Sequence, residues 1–191
     1  MYESKLLKLK EVPVFSLADV SQIVSGKGYA KKLLRKLKEK GEIRKIRKDK
    51  YTFHEDSFLV SSFILKPSYI SSVSALSFHK LITQIPKDIF CFTTKKKEKV
   101  AYLSNIRFIH TNFFFGFNNQ IYQGFKIPIA TPEKAIIDSI GIIPISVFDE
   151  AISSVNLDLI KEYLKKIKKS SIIKRIGYLL EQNGFDVSEL K

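Results

Sequence analysis

A single cysteine, Cys91, stands among 191 residues, and there is no tryptophan. One cysteine excludes a disulfide framework and a zinc site built from cysteines alone. Three histidines, His54, His79 and His110, are scattered without HxH or HxxxH spacing, so neither a metal nor a cofactor is expected. No apolar run approaches the roughly 18 residues that span a bilayer. The first residues, MYESKLLKLKEVPVF, lack a secretory apolar region, so a reduced, cytoplasmic protein without a membrane partner is expected. Neither the GxxxxGK(S/T) nor the GxGxxG phosphate cradle occurs, and no GxSxG elbow appears. No enzymatic activity is expected. Acidic residues are also scarce: 19 Asp and Glu face 33 Lys and Arg, a formal net charge of +14.

Apolar residues supply 45% of the chain, enough to bury a core. The positive charge is unevenly placed. Residues 1–54 hold 15 basic and 6 acidic side chains, a net of +9, whereas residues 131–191 hold 9 of each. A general lysine bias is one explanation, since only Arg35, Arg44, Arg47, Arg107 and Arg175 are arginine. Such a bias would spread evenly, however, and the last third is neutral. Concentrated positive charge favours a polyanionic partner.

The first quarter reads as three short helices and a basic hairpin. A helix over residues 2–10 turns Leu6, Leu7 and Leu9 inward and ends before Pro13. Ser16 caps a second helix, with Leu17, Val20, Ile23 and Val24 at helical spacing. Ser25-Gly26-Lys27-Gly28 reads as a turn. A third helix runs from about Tyr29 to Lys40, with Tyr29, Ala30, Leu33, Leu34 and Leu37 inward. Lys31, Lys32 and Arg35 face outward, and Lys36 and Lys38 lie on the flanks. Gly41 closes it. A ribbon follows with Ile43 and Ile46 inward, Arg44, Lys45, Arg47 and Lys48 outward, Asp49-Lys50 at the tip, and Tyr51-Thr52-Phe53 returning. This is the order of a winged helix-turn-helix, in which a basic helix enters the major groove and the hairpin reaches the backbone.

Farther along, residues 55–66 suit a connecting helix closed by Lys66-Pro67. An extended stretch then leads into a helix capped by Ser71 or Ser72, with Val73, Leu76 and Leu81 apolar and Pro86 at its end. Asp88–Thr94 reads as a buried strand, Lys95–Lys99 as a charged turn, and Val100–Leu103 and Ile106–Phe115 as further strands. Asn118-Asn119 offers a turn before a return strand over Gln120–Ala130. Thr131-Pro132-Glu133 starts a helix. Helices over Ser146–Ser153, Asp158–Lys168 and Ile172–Gln182 complete the chain, the last closed by Asn183-Gly184.

Four segments together resemble the AbiEi family, the antitoxins of AbiE-type (type IV) toxin–antitoxin systems. The first is Tyr29-Ala30-Lys31-Lys32-Leu33-Leu34-Arg35-Lys36-Leu37 with Gly41-Glu42-Ile43. The second is Pro67-Ser68-Tyr69-Ile70-Ser71-Ser72-Val73-Ser74-Ala75-Leu76, similar to the family's P-Y-(I/V)-S-x-x-S-A-L. The third is Ala130-Thr131-Pro132-Glu133-Lys134-Ala135-Ile136-Ile137-Asp138, similar to its A-x-P-E-(R/K)-(A/T)-hydrophobic-hydrophobic-D. The fourth is Lys174-Arg175-Ile176-Gly177-Tyr178-Leu179-Leu180-Glu181. The resemblance implies a transcriptional repressor of its own operon that counters a nucleotidyltransferase-like toxin without a stable direct complex. The chain is short for the family.

The fold expected is α/β (α+β), with a winged helix-turn-helix over residues 1–56 and a mixed α/β antitoxin-type domain over residues 57–191. The partner expected is double-stranded DNA, an operator with inverted repeats. Lys31, Lys32 and Arg35 approach the groove, with Arg35 suited to bridge guanine O6 and N7, and Lys36 on the flank is a further DNA-binding candidate. Arg44, Lys45, Arg47, Lys48 and Lys50 hold phosphates, and Lys27 sits at the turn before the third helix. Tyr69 and Ser74 are candidates for the antitoxin surface, an ordinary packing role being the alternative. The run Phe113-Phe114-Phe115-Gly116-Phe117 is better explained as core than as a base-stacking platform. A stand-alone regulator whose second domain senses a ligand or partner remains an alternative. A Mg²⁺-dependent nuclease is disfavoured, because Glu133 and Asp138 lie about 140° apart on one helix.

Overall fold

In the computed structural model, residues 7–24 and 26–188 are described. The expected first helix falls partly outside them, as does Ser25; residues 7–10 are helical, with Leu9 buried and Leu7 exposed rather than inward. Helix α1 spans Leu17–Ile23 behind an Asp19–Ser16 capping box. Helix α2 spans Lys27–Glu39. It starts two residues earlier than the sequence suggests, because Gly26, at φ 95°, supplies the N-cap. Lys27 and Gly28 therefore belong to the first helical turn and not to the turn before it. Ala30, Leu34 and Leu37 are buried, but Tyr29 is 46% exposed rather than inward.

Strands β1 (Arg44–Arg47) and β2 (Lys50–Thr52) form an antiparallel hairpin. Its turn is Lys48-Asp49, one residue before the expected tip, with Asp49 at φ 59°. Phe15 adds a short third rung by bridging Tyr51, each residue donating its N–H to the other's carbonyl at 2.9 Å. The Asp49 carboxylate accepts from Leu17 N at 3.0 Å, pinning the hairpin tip to the start of α1.

The remainder is a six-stranded mixed sheet, ordered β5-β6-β4-β3-β8-β7, with helices around it. The strands are β3 (Ser68–Ile70), β4 (Asp88–Thr93), β5 (Glu98–Tyr102), β6 (Ser104–His110), β7 (Phe117–Tyr122) and β8 (Phe125–Ala130). Pairs β4/β6 and β3/β8 are parallel, while the other neighbours are antiparallel. Helices α3 (Ser57–Ile64), α4 (Ser72–Phe78), α5 (Pro132–Ser139), α6 (Asp149–Ile152), α7 (Leu157–Ile167) and α8 (Ser170–Gln182) complete it, with a 3₁₀ turn over Ile145–Phe148. The protein is thus α+β.

Three expectations fail for local reasons. Helix α4 stops at Phe78, well before Pro86, because Lys80 turns left-handed and Leu81 N donates to Leu76 O. Asn118 and Asn119 lie inside β7. The turn is instead Gln123-Gly124, both at positive φ, which is the two-residue connection a twisted hairpin favours. Strand β6 ends at His110, and Phe113–Phe115 leave the sheet to pack over Tyr69 and Tyr163.

Two hydrophobic cores result. Leu9, Phe15, Val20, Val24, Ala30, Leu34, Leu37 and Ile43 form the smaller. The larger surrounds the six-stranded sheet and also takes in Ile46, the inward residue of the hairpin. The hairpin is therefore shared between the two cores.

Candidate nucleic-acid interface

Helix α2 repeats its apolar residues so that one side seals the smaller core, which leaves its lysines outside. Lys31, Arg35 and Lys38 follow at i, i+4 and i+7, within about 60° of one another on the helix. These three, with Lys45 of β1, line a shallow depression of about 280 Å³ whose floor is Leu17, Leu34 and Tyr51. Arg35 pairs with Glu39 at 3.7 Å, with both side chains well exposed. An exposed pair this loose is worth little and yields readily to a stronger anion. Lys38 and Lys45 also line a second depression, of about 570 Å³, that continues to Arg44 and the β5–β6 turn. The cationic side chains of helix and hairpin thus share one continuous surface. Lys27, Lys32 and Lys36 are exposed on the same helix, Lys32 and Lys36 on the adjoining flank. Lys38, a flank residue by sequence, lies seven residues from Lys31 and so falls beside Lys31 and Arg35.

The hairpin arginines are placed differently from the sequence expectation. Arg44 Nε and Nη2 reach Glu55 Oε1 at 2.9 and 2.5 Å. Arg47 Nη1 reaches Glu98 Oε2 at 2.6 Å. Both guanidinium groups are engaged by carboxylates: Glu98 of β5 ties Arg47 to the larger sheet, and Glu55, in the segment that follows the hairpin, holds Arg44. Lys45 and Lys48 are exposed and have no such partner among the described residues, while Lys50 is half-buried.

Tyr69 and Ser74 are not at a surface. Tyr69 is fully buried and stacks on Phe117 at 4.5 Å between ring centroids. Ser74 accepts from Phe90 N at 3.0 Å and donates to Asp88 O at 3.3 Å, tying α4 to β4. A large aromatic ring on the central strand β3 and a hydroxyl facing the adjacent strand serve packing, so the antitoxin-surface assignment is corrected.

Tyr69 instead belongs to a buried polar cluster. Lys134 Nζ, with no solvent exposure, donates to Tyr69 OH at 2.9 Å and pairs with Asp138 Oδ1 one helical turn away. Asp138 Oδ2 accepts from Tyr69 OH at 2.9 Å and from Ser71 Oγ at 2.7 Å. Burial pushes the Lys134 ammonium down and the Asp138 carboxyl up from their ordinary values, each opposed by the other's charge. Burial and then Asp138 push the Tyr69 phenol upward. Gly116, at φ 72°, lies against Lys134, where a Cβ would come within 3.0 Å of the lysine stem. Glu133 caps elsewhere: its Oε1 accepts from Asn156 N at 2.9 Å at the start of α7. Helix α5 therefore uses its polar side chains to join three parts of the larger core. Lys134 is fully buried, and the arrangement is one of cohesion.

Cys91 is buried on β4, and burial pushes its thiol up to about 12. At pH 8 the thiol stays protonated and therefore unreactive. Iodoacetamide is expected to leave the native protein unmodified at pH 8 and to label it once urea unfolds it; mass spectrometry reads the difference. Among the described residues, no group of three or more His, Cys, Asp or Glu side chains is placed to hold a metal. No described helix is long and apolar enough to cross a membrane.

No family model matches the chain, and no curated protein does. Among solved structures, the RV2827C protein from Mycobacterium tuberculosis is similar, with a TM-score of 0.66 at 14% identity. The match covers 96% of this chain and 78% of that one, and at this identity it bears on the fold alone.

Proposed function

We propose that the protein is a DNA-binding transcriptional regulator whose first quarter acts as a winged helix on duplex DNA. The observation that carries this reading is the single depression lined by Lys31, Arg35, Lys38 and Lys45. A helix and a hairpin that share one cationic surface are the two elements with which a winged helix meets groove and flanking phosphates. Helix α2 also has no acidic residue in its first turn and no side-chain cap, which suits an approaching phosphate. The Phe15–Tyr51 bridge and the helix order support the winged-helix comparison. In this reading Arg35 reads bases, Lys31, Lys38 and Lys45 hold phosphates, and Arg44 and Arg47 set the position of the wing.

The resemblance to the AbiEi family extends the proposal to an antitoxin that represses its own operon and opposes a nucleotidyltransferase-like toxin. Its second and third segments meet in the cluster of Tyr69, Ser71, Lys134 and Asp138, so they support a common core more than a contact surface. The test uses fluorescence anisotropy with duplex from the chain's own promoter and a scrambled duplex. The promoter is expected to bind at least about 10³-fold more tightly. Equal affinity for the two would leave only a nonspecific DNA binder. Co-expression with the product of the adjacent reading frame tests the antitoxin: restored growth is expected, and unrelieved toxicity contradicts it.

A further inference from the structure

Where α3 meets the sheet, a cleft of about 460 Å³ opens beside the hairpin unit. Phe58, Phe78, Pro86 and Ile89 give it apolar walls, and Ser77, Ser104 and Tyr122 add hydroxyl groups. Ile85, at 90% exposure, and Leu103, at 62%, stand on its rim, two of the most exposed large apolar side chains described. Its volume falls in the range of small-molecule sites, and a concave, largely apolar wall with a few polar groups is the usual make-up of such sites. Its charge is the unusual feature. Three carboxylates, Glu55, Asp56 and Asp88, line it, and no lysine or arginine does, in a chain whose formal net charge is +14.

Those carboxylates are not equally open to a ligand. Asp56 caps α3 through Phe58 N and Leu59 N and accepts from Tyr122 OH and Gln123. Asp88 is held by Asn105 and by Arg107. Glu55 takes both Arg44 bonds on one oxygen, Oε1. Its Oε2 has no partner among the described residues. We infer that this cleft binds a small organic ammonium with an apolar body, which places its nitrogen at Glu55 and its body against Phe58, Phe78, Ile89 and Leu103. Glu55 then belongs to two devices: it closes the ligand site and it fastens Arg44 of the hairpin. An ammonium that engages Glu55 loosens Arg44 and adds a cation to the proposed DNA surface. This coupling rests on the DNA-binding reading, whereas the ligand site itself does not.

The test is an amide NMR titration of the full chain with 2-phenylethylammonium, 2-phenylethanol and 3-phenylpropionate. The cation is expected to shift the Ser77, Leu103 and Ser104 amides and to saturate, with the alcohol at least tenfold weaker and the carboxylate silent. Glu55→Gln, at an exposed position, is expected to weaken the cation at least fivefold, and Ser77→Phe to abolish its binding by filling the cleft. Equal shifts from all three probes, or full binding by Glu55→Gln, would overturn the site even if Ser77→Phe failed to fold. With saturating amine, the salt dependence of binding to a duplex is expected to steepen by about one unit. An unchanged dependence in a protein that binds both amine and duplex would overturn the coupling; absence of duplex binding would overturn the DNA reading instead.

Discussion

Asp138→Ala is expected to lower folding stability by about 3–5 kcal/mol, the cost of stripping a buried ion pair of one partner. The reason is local. Lys134 has no solvent exposure, and Asp138 is the carboxylate it pairs with. Tyr69 and Ser71 would lose their acceptor as well. Urea unfolding followed by circular dichroism measures the loss. Its pH dependence gives an independent check. Burial already lowers the Lys134 pKa, and Asp138 opposes that shift, so the variant's folded-state value falls further. The unfolded state then binds more protons than the folded state across the interval between that depressed value and an ordinary lysine pKa of about 10.4. The variant's stability should therefore rise with pH through this interval, and its deficit relative to wild type should shrink between its own folded-state value and the less depressed wild-type one. The double variant Lys134→Met, Asp138→Leu removes both charges and should regain much of the loss, because apolar replacement of a buried pair is often neutral. A deficit below about 1 kcal/mol for Asp138→Ala would mean that the cluster does not hold the core together.

The second large effect is on DNA. Replacing Lys31, Arg35 and Lys38 together by glutamine is expected to reduce the salt slope of duplex binding by about 1.8 units, at 0.9 for each of the phosphate contacts of Lys31 and Lys38, and to cost promoter specificity through Arg35. Their exposure on one helix face means that folding should be little affected. Arg44→Gln with Arg47→Gln should change the slope by less than one unit, because both guanidinium groups are already held by Glu55 and Glu98. Anisotropy titrations between 50 and 200 mM salt separate the two variants. A larger effect from the hairpin pair than from the helix triple would contradict the division of roles drawn between them.

Helix periodicity made most helices legible, and capping placed their ends. Ser16 and Thr131 cap as the sequence suggests, and Asp56, which the sequence reading leaves unassigned, caps α3. Ile43 and Ile46, the apolar residues among the hairpin's charges, are both buried as expected, but three residues apart they enter different cores. Errors arose where tertiary contact overrides local preference. Asn118-Asn119 has turn chemistry, yet β7 tolerates both residues because they are exposed along an edge strand. Phe113–Phe115 has strand composition, yet these rings are drawn off the sheet to cover Tyr69 and Tyr163. The basic surface was largely readable because charge on an amphipathic helix has only one side on which to lie. The engagement of Arg44 and Arg47 was not. Glu55 follows the hairpin and Glu98 lies 51 residues beyond Arg47, and pairing over that distance leaves no periodic trace. Tyr69 and Ser74 sat within a motif-like stretch, where a buried role and a surface role leave the same residues in the sequence.

The most direct test of the account maps the amides that shift when a 12-base-pair duplex is titrated into isotopically labelled protein at low salt. The account expects the largest changes in α2 between Lys27 and Lys38 and at Lys45 and Lys48 of the hairpin, with the α5–α8 helices quiet. Changes confined to those C-terminal helices, or none at 50 mM salt, would contradict a duplex-binding surface built by α2 and its hairpin.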